Sequence, residues 1–376
     1  MTSATAELAP QDEFRPDGPA AQPSGGSGLN VLLDDRVGGS WDQTFQSFDD
    51  ISYDQTQLFS ERRWGEARMR QIVLEQDGSV VAGARVCLIV PPGLRTGLAY
   101  VRGGPVWRQP GRTQDPDLYR TAVAAIQREY AVERGHHLSI TPRFNPDFVP
   151  IETEILKELG FRVLRQSTDA ARYFVNLQVD ADEQMSSLHP TWRRNLRKAL
   201  SNPFEISEST TEDGIADFIS MNRAMLKRKG FLDSGTIFLL PELCRAMPAA
   251  LKPRIVIARF QGRPVAGAAI VLTGDTAHYL FGASDDSMLP LRAGFALQWW
   301  AIDWLSRAGF KWYDLGGESQ SGGLAHFKRG LVGRMGRIVD ANVEWEYSGS
   351  RRSRLIAETA FAARAVKRAY MRRLNG

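Results

Sequence analysis

Lys328 follows the aromatic Phe327 and is bounded by Gly322, Gly323 and Gly330. An aromatic anchor with glycines on both sides can hold an ammonium in a backbone-lined cleft. The same pattern also fits a solvated lysine beside Arg329 at a helix start. Asp314 lies in Trp312-Tyr-Asp-Leu and runs into Gly316 and Gly317. A carboxylate at a strand end beside a glycine loop can take a proton from an incoming ammonium or orient it; Asp before a glycine turn is also an ordinary turn residue. Arg193, Arg194, Arg197 and Lys198 form one broad basic stripe if their segment is helical. Such a stripe can grip a diphosphate or a nucleic-acid backbone, or simply face water. Arg102, in Val-Arg-Gly-Gly-Pro, is similar, because its glycines admit a phosphate or a tight strand turn.

Other chemistries lack their motifs. There is no G-x-x-x-x-G-K-[ST] loop, no H-E-x-x-H and no G-x-S-x-G. His136, His137, His189, His278 and His326 show no metal-ligand spacing, so no metal site is expected. Two cysteines, Cys87 and Cys244, suggest neither a disulfide framework nor a metal knuckle, which points to a reducing compartment.

The elements that must position these groups come from an internal repeat. Gly78-Ser-Val-Val-Ala-Gly-Ala84 recurs as Gly262-Arg-Pro-Val-Ala-Gly-Ala268. Each copy follows a β-rich stretch (Gln71-Ile-Val-Leu, Arg254-Ile-Val-Ile-Ala) and continues into another. Tyr100-Val-Arg-Gly103 then corresponds to Tyr279-Leu-Phe-Gly282. An amphipathic helix ending in glycine comes next, at 117–135 and at 295–309. A short strand closes each unit, His137-Leu-Ser-Ile-Thr or Lys311-Trp-Tyr-Asp-Leu. The shared order is strand, turn, strand, strand, helix, strand: one α/β unit used twice, its sheet partly antiparallel and partly parallel. One G-x-x-V-A-G-A pair alone could be coincidence; the matching order of the further elements argues for duplication.

This order resembles the core of the GNAT acyltransferase fold, and two such units in one chain resemble the FemABX family. Tyr100-Val-Arg-Gly-Gly-Pro-Val-Trp107 is similar to that family's Y-x-x-R-G-P signature, with one extra glycine. Thr191-Trp-Arg-Arg-Asn-Leu-Arg-Lys-Ala199 is similar to its R-x-N-I-R-K-A helix. Leu297-Gln-Trp-Trp through Trp312-Tyr-Asp-Leu-Gly-Gly317, and then Gly323-Leu-Ala-His-Phe-Lys-Arg-Gly330, follow its L-Q-W … Y-D-x-x-G and F-K segments. The likeness runs from about Trp41 to Val343.

The resemblance implies an α/β chain of two tandem GNAT-like domains with mixed sheets, at 31–180 and 181–345. The segment from Met225 to Ile255 has no room for the family's coiled-coil arm, which points to a FemX-like architecture. It implies transfer of an amino acid from aminoacyl-tRNA to an amine acceptor such as a peptidoglycan-precursor stem peptide, without a cofactor. In this reading Lys328 stabilises the oxyanion or the leaving group, and Asp314, which would accept a proton from the incoming ammonium or orient it, is the second catalytic candidate. Arg102, Arg194, Arg197, Lys198, Tyr279, Tyr313 and Phe327 are the candidate substrate-binding residues, with Tyr313 as a wall. Attack on an activated ester needs a deprotonated amine, oxyanion stabilisation and alignment, but no metal, ATP or protein nucleophile. One departure is Lys229, which stands where the family's K-R-D-G-F segment is acidic.

Two other readings stay open. An acyl-CoA-dependent acyltransferase would hold its pyrophosphate on a [QR]-x-x-G-x-[GA] loop at a helix start. Leu291-Arg-Ala-Gly-Phe-Ala296 comes nearest, with Leu at the Gln/Arg position. A non-catalytic binding protein on a duplicated scaffold is the third reading, in which Lys328 and Asp314 would be dispensable.

The net charge of +4 is unevenly placed. Residues 1–30 carry −3 and the segment from Arg351 onward carries +7, leaving a neutral body. The leader, rich in Ala, Pro, Gly and Ser, is expected to be disordered. The arm at 346–376 is expected to be a basic helix that packs on the body, contacts tRNA or touches an acidic lipid surface. No signal peptide and no run of ~18 apolar residues is present, so a cytoplasmic monomer is expected.

Overall fold

A computed structural model describes residues 29–34, 40–166, 171–209, 211–229, 236–317, 322–340, 343–359 and 362. The leader and the end of the basic arm lie outside them. Residues 351–359 are helical, with Ala357 buried and Leu355 exposed.

The first half runs β1 (Leu29–Leu33), α1 (Trp41–Phe45), α2 (Gln57–Trp64), β2 (Met69–Gln76), β3 (Ser79–Ile89), β4 (Leu98–Arg102), α3 (Pro116–Ile126), β5 (His137–Thr141), α4 (Val149–Glu158) and β6 (Arg162–Gln166). There follow β7 (Ala171–Asn176), α5 (Ala181–Ser187), α6 (Pro190–Leu200), β8 (Glu205–Ser209), α7 (Glu212–Lys229) and α8 (Leu240–Ala246). The second repeat is β9 (Arg254–Phe260), β10 (Arg263–Thr273), β11 (Thr276–Ser284), α9 (Ala293–Arg307) and β12 (Trp312–Gly317). The chain closes with α10 (Gly322–Val332), β13 (Arg337–Asp340) and β14 (Val343–Ser348). No helical arm interrupts the passage from α7 through α8 to β9 among the described residues.

The repeated glycines have physical reasons. Asp77-Gly78 and Gln261-Gly262 both hold positive φ at both positions (52° and 73°, 52° and 77°). That is the type I′ geometry whose twist matches a two-residue hairpin. Gly83 and Gly267, the second glycine of each motif, lie under phenylalanines. A Cβ at Gly83 would fall 2.5 Å from the Phe45 ring of α1, and one at Gly267 2.8 Å from the Phe218 ring of α7. A helix presses an aromatic onto the same strand position in both halves.

Two seven-stranded sheets result, ordered β1-β2-β3-β4-β5-β14-β6 and β13-β7-β12-β11-β10-β9-β8. Read in opposite directions the two orders coincide, with one exchange. β7, which ends the first half, lies in the second sheet between β12 and β13. β14, which ends the second, lies in the first sheet between β5 and β6. The expected boundary at 180 therefore cuts the second sheet from its strand β7, and the boundary at 345 cuts through β14. Tyr173 and Val175 of β7 are fully buried in the second core, and Trp345 of β14 in the first. Neither core is complete without a strand from the other half.

A polar bolt also joins the halves. The β10–β11 hairpin turns at Gly274 (φ 59°), against the Asp49 carbonyl. Next to it, Asp275 accepts two bonds from Arg108 (2.8 and 3.3 Å) and one from Asn145 (3.2 Å). Arg143 donates to the carbonyls of Asp49 and Ile51 in the first half and of Thr273 (2.7 Å) and Thr276 (2.9 Å) in the second.

Glu152 is buried nearby, with one oxygen on the Trp107 indole (3.0 Å) and the other without a protein partner. Burial raises its carboxyl to about 7, against the lowering pull of the indole N–H. The folded protein thus favours the neutral acid. The stability this lends is full below the unfolded carboxyl range and is lost as pH rises to about 7. Glu152→Gln is expected to exceed the parent by ~2–3 kcal/mol near pH 8 and to converge with it near pH 4. Denaturant titration at the two pH values checks this.

Candidate active site

A cleft of about 360 Å³ opens between the halves. The first half contributes the ends of β4 and β5 (Arg102, Thr141) and the loop through Phe144. The second contributes His278 and Leu280 from β11, Asp314 from β12 and Arg172 from β7. Parallel pairing of β4 with β5 continues to the end of both strands, whereas β11 and β12 pair only at Thr276–His278 against Trp312–Asp314 and then part. His278 stands directly opposite Asp314 at that parting.

Asp314 is 3% exposed and fully engaged. Arg172 grips it through Nε (3.0 and 2.9 Å) and Nη2 (2.5 Å), and Gly316 donates its backbone N–H (2.8 Å). Burial pushes the carboxyl up, but Arg172 and His278 outweigh it and hold it well below the usual carboxylate range. A carboxylate so held stays ionised and cannot serve as a base for an ammonium. Its remaining contact is to His278 Nδ1, 2.8 Å from Oδ2.

Nδ1 of His278 also lies 3.2 Å from Arg172 Nη2. Only one of these contacts is a hydrogen bond of the ring. An ionised carboxylate cannot donate, so Nδ1 carries the proton and gives it to Asp314, while Arg172 is spent on the carboxylate. In the neutral ring that tautomer leaves Nε2 with a lone pair and no protein partner among the described residues. An imidazole oriented by a buried carboxylate is a general acid–base device. Histidine spacing, which bears on metal ligation, does not single out His278.

Lys328 is 8% exposed on α10, and its Nζ donates to the Gly317 carbonyl (2.7 Å). It is held against backbone, not solvated. Gly317 follows the left-handed Gly316 (φ 77°), whose N–H bonds Asp314 and which Lys328 Nζ also approaches. Arg102 lines the cleft and pairs with Asp54 (3.1 Å), and the left-handed Gly103 beside it (φ 67°) packs on Ser52.

The other sequence candidates lie elsewhere. Tyr313 is not a wall: it is fully buried on the face opposite Asp314, with its hydroxyl on Gln298 (3.0 Å). Tyr279, the strand neighbour of His278, turns to the same core and packs edge-on to Tyr313. Burial raises its hydroxyl to about 12. Phe327 packs with Trp192 and Phe295 between α6, α9 and α10. Arg194, Arg197 and Lys198 are exposed on α6, outside the cleft lining. Strand alternation and helix packing account for all of these placements.

Residues 186–329 match the family described as "Acetyltransferase (GNAT) domain". No curated protein matches the chain in sequence. The crystal structure of FemX is similar over 84% of this chain and 97% of that one, with 17% identity and a TM-score of 0.67. A conserved protein of unknown function from Bacteroides thetaiotaomicron is similar over 81% and 92%, at 14% identity and a TM-score of 0.51. The fold is thus the FemX-like, tandem GNAT α/β architecture, a scaffold of acyltransferases. No helix among the described residues is long and apolar enough to cross a membrane.

Proposed function

We propose that this chain, built on the tandem GNAT fold shared with FemX, is an aminoacyltransferase that moves an amino acid from aminoacyl-tRNA to an amine bound in the interdomain cleft. The observation that carries the reading is the His278–Asp314–Arg172 constellation at the parting of β11 and β12. The acceptor's ammonium gives a proton to His278 Nε2, and the freed amine attacks the ester carbonyl. His278 passes that proton to water; as the C–N bond forms the attacking nitrogen gives a second proton to Nε2, the C–O bond to the ribose breaks, and His278 gives this second proton to the ribose oxygen. Asp314 stays ionised, fixes the tautomer and stabilises the imidazolium. Lys328 supplies positive charge to the oxyanion from its backbone seat. Arg102 lines the cleft and would have to exchange Asp54 for an anionic acceptor; a peptidoglycan-precursor stem peptide on a nucleotide or lipid diphosphate is the acceptor this reading takes.

Lys328→Ala is expected to reduce turnover by about 10²–10³-fold with an unchanged far-UV spectrum and a cooperative melt. A variant of full activity would remove Lys328 from the site.

A second reading, acyl-CoA as donor, is favoured by one observation. The start of α9 has no acidic residue in its first turn, and Gly294 there faces open space. The corresponding α3 is closed to anions by Asp115, Pro116 and Asp117. Arg292 at the α9 start bonds the neutral Asn195 (2.6 Å) and keeps its positive charge there.

A further inference from the structure

A second cavity, about 510 Å³, lies between α5, α6 and α9 on the far side of the second sheet. Asn176 lines it and Arg172, on the same strand, lines the cleft, so the two sites are ~13 Å apart along β7. Trp299, Trp300 and Phe204 form apolar walls, and Gln184 is set among them. Gln184 is 3% exposed, and neither its amide oxygen nor its amide nitrogen has a protein partner. A buried amide with both groups unsatisfied is a standing cost to the fold that an isosteric leucine would avoid. Its retention is explained by a ligand that supplies an acceptor and a donor side by side.

The rim adds charge. Leu200 of α6 lines the cavity, and Arg197, one turn earlier, shares its face. Arg194, Arg197 and Lys198 are exposed, α6 holds no acidic residue, and none of the three has an ion-pair partner among the described residues. The acidic residues of the cavity are already engaged: Asp303 pairs with Arg307, and Asp180 caps α5 at the Glu183 N–H (2.8 Å). Asp180 keeps its negative charge at the cavity, whereas the charge that α6 brings to the rim is positive.

We infer that this cavity receives a base of single-stranded RNA, adenine fitting best, with α6 carrying the flanking phosphates. Glutamine meets adenine through a paired donor and acceptor, indoles stack on base faces, and unpaired arginines and lysines neutralise phosphates. The inference rests on the aminoacyl-tRNA reading for the identity of the RNA and adds to it a landing surface outside the reaction cleft.

Fluorescence anisotropy with short labelled unstructured RNAs, one of A and C and one of U only, tests it without any turnover. The full chain is expected to bind the A-containing RNA with a salt-dependent affinity. Gln184→Leu is expected to weaken that RNA about tenfold, to leave the U-only RNA unchanged, and to melt at or above the parent temperature. Arg197→Ala/Lys198→Ala is expected to weaken both RNAs and to lower the salt slope by about 1.4. Absence of RNA binding by the parent, or two variants that bind like the parent, would overturn the inference. His278→Gln is expected to bind RNA normally, so loss of transfer chemistry and loss of RNA binding are read separately.

Discussion

His278→Gln is expected to lower turnover by about 10²–10⁴-fold while the protein folds and melts as before. Glutamine fills the same space and can still donate to Asp314, but it offers no lone pair that accepts a proton at the Nε2 position. The companion variant Asp314→Asn is expected to cost nearly as much for a different reason. The amide can donate to Nδ1, which stabilises the opposite tautomer and turns a protonated Nε2 toward the substrate. It also removes the carboxylate that neutralises the partly buried Arg172, so its melting temperature should fall where that of His278→Gln does not. Steady-state kinetics with melting curves on both variants separate the two effects. A His278→Gln enzyme of full activity would leave the dyad a structural ion-pair cluster.

Asp275→Ala is expected to destabilise the chain by about 3–5 kcal/mol. Arg108 is 1% exposed and Asp275 8%, so removing one partner strands a guanidinium where water cannot reach it. Replacing both by apolar residues should cost far less than the single change, because no charge is then left unpaired. Burial pushes the Asp275 carboxyl up, but Arg108 outweighs it and the folded value lies below the ordinary one. The contribution of the pair is therefore complete above the unfolded carboxyl range and is lost as pH falls through the folded value. Because β7 and β14 are exchanged between sheets, the loss should appear as one cooperative transition of both halves. Urea melts followed by tryptophan fluorescence and by far-UV dichroism check this; two separated transitions would contradict the interlocked fold.

The repeat was readable because its marks are local. Type I′ hairpins demand Gly78 and Gly262, and close-packed phenylalanines demand Gly83 and Gly267. Asp314 and Lys328 stand out in the sequence because glycines flank them. Nothing local marks His278: the parallel register of β11 with β12 sets it against Asp314, and that register is a property of the fold. Strand alternation could have placed Tyr279 and Tyr313 in the core, since neighbours on a strand face opposite ways. Arg172 and the strand exchange had no such signal. An apolar strand pattern is the same in either sheet, and only the chain path decides which one it joins. Gln184 was equally hidden, because an unsatisfied amide is a property of its surroundings.

The central claim is settled most directly by donor choice. Purified protein would be incubated with an extract of amine-bearing precursors and either a pool of labelled aminoacyl-tRNAs or labelled acetyl-CoA. We expect label to pass from aminoacyl-tRNA into an RNase-resistant product, and to stop passing in His278→Gln. Label passing only from acetyl-CoA, or from neither donor, would contradict the account.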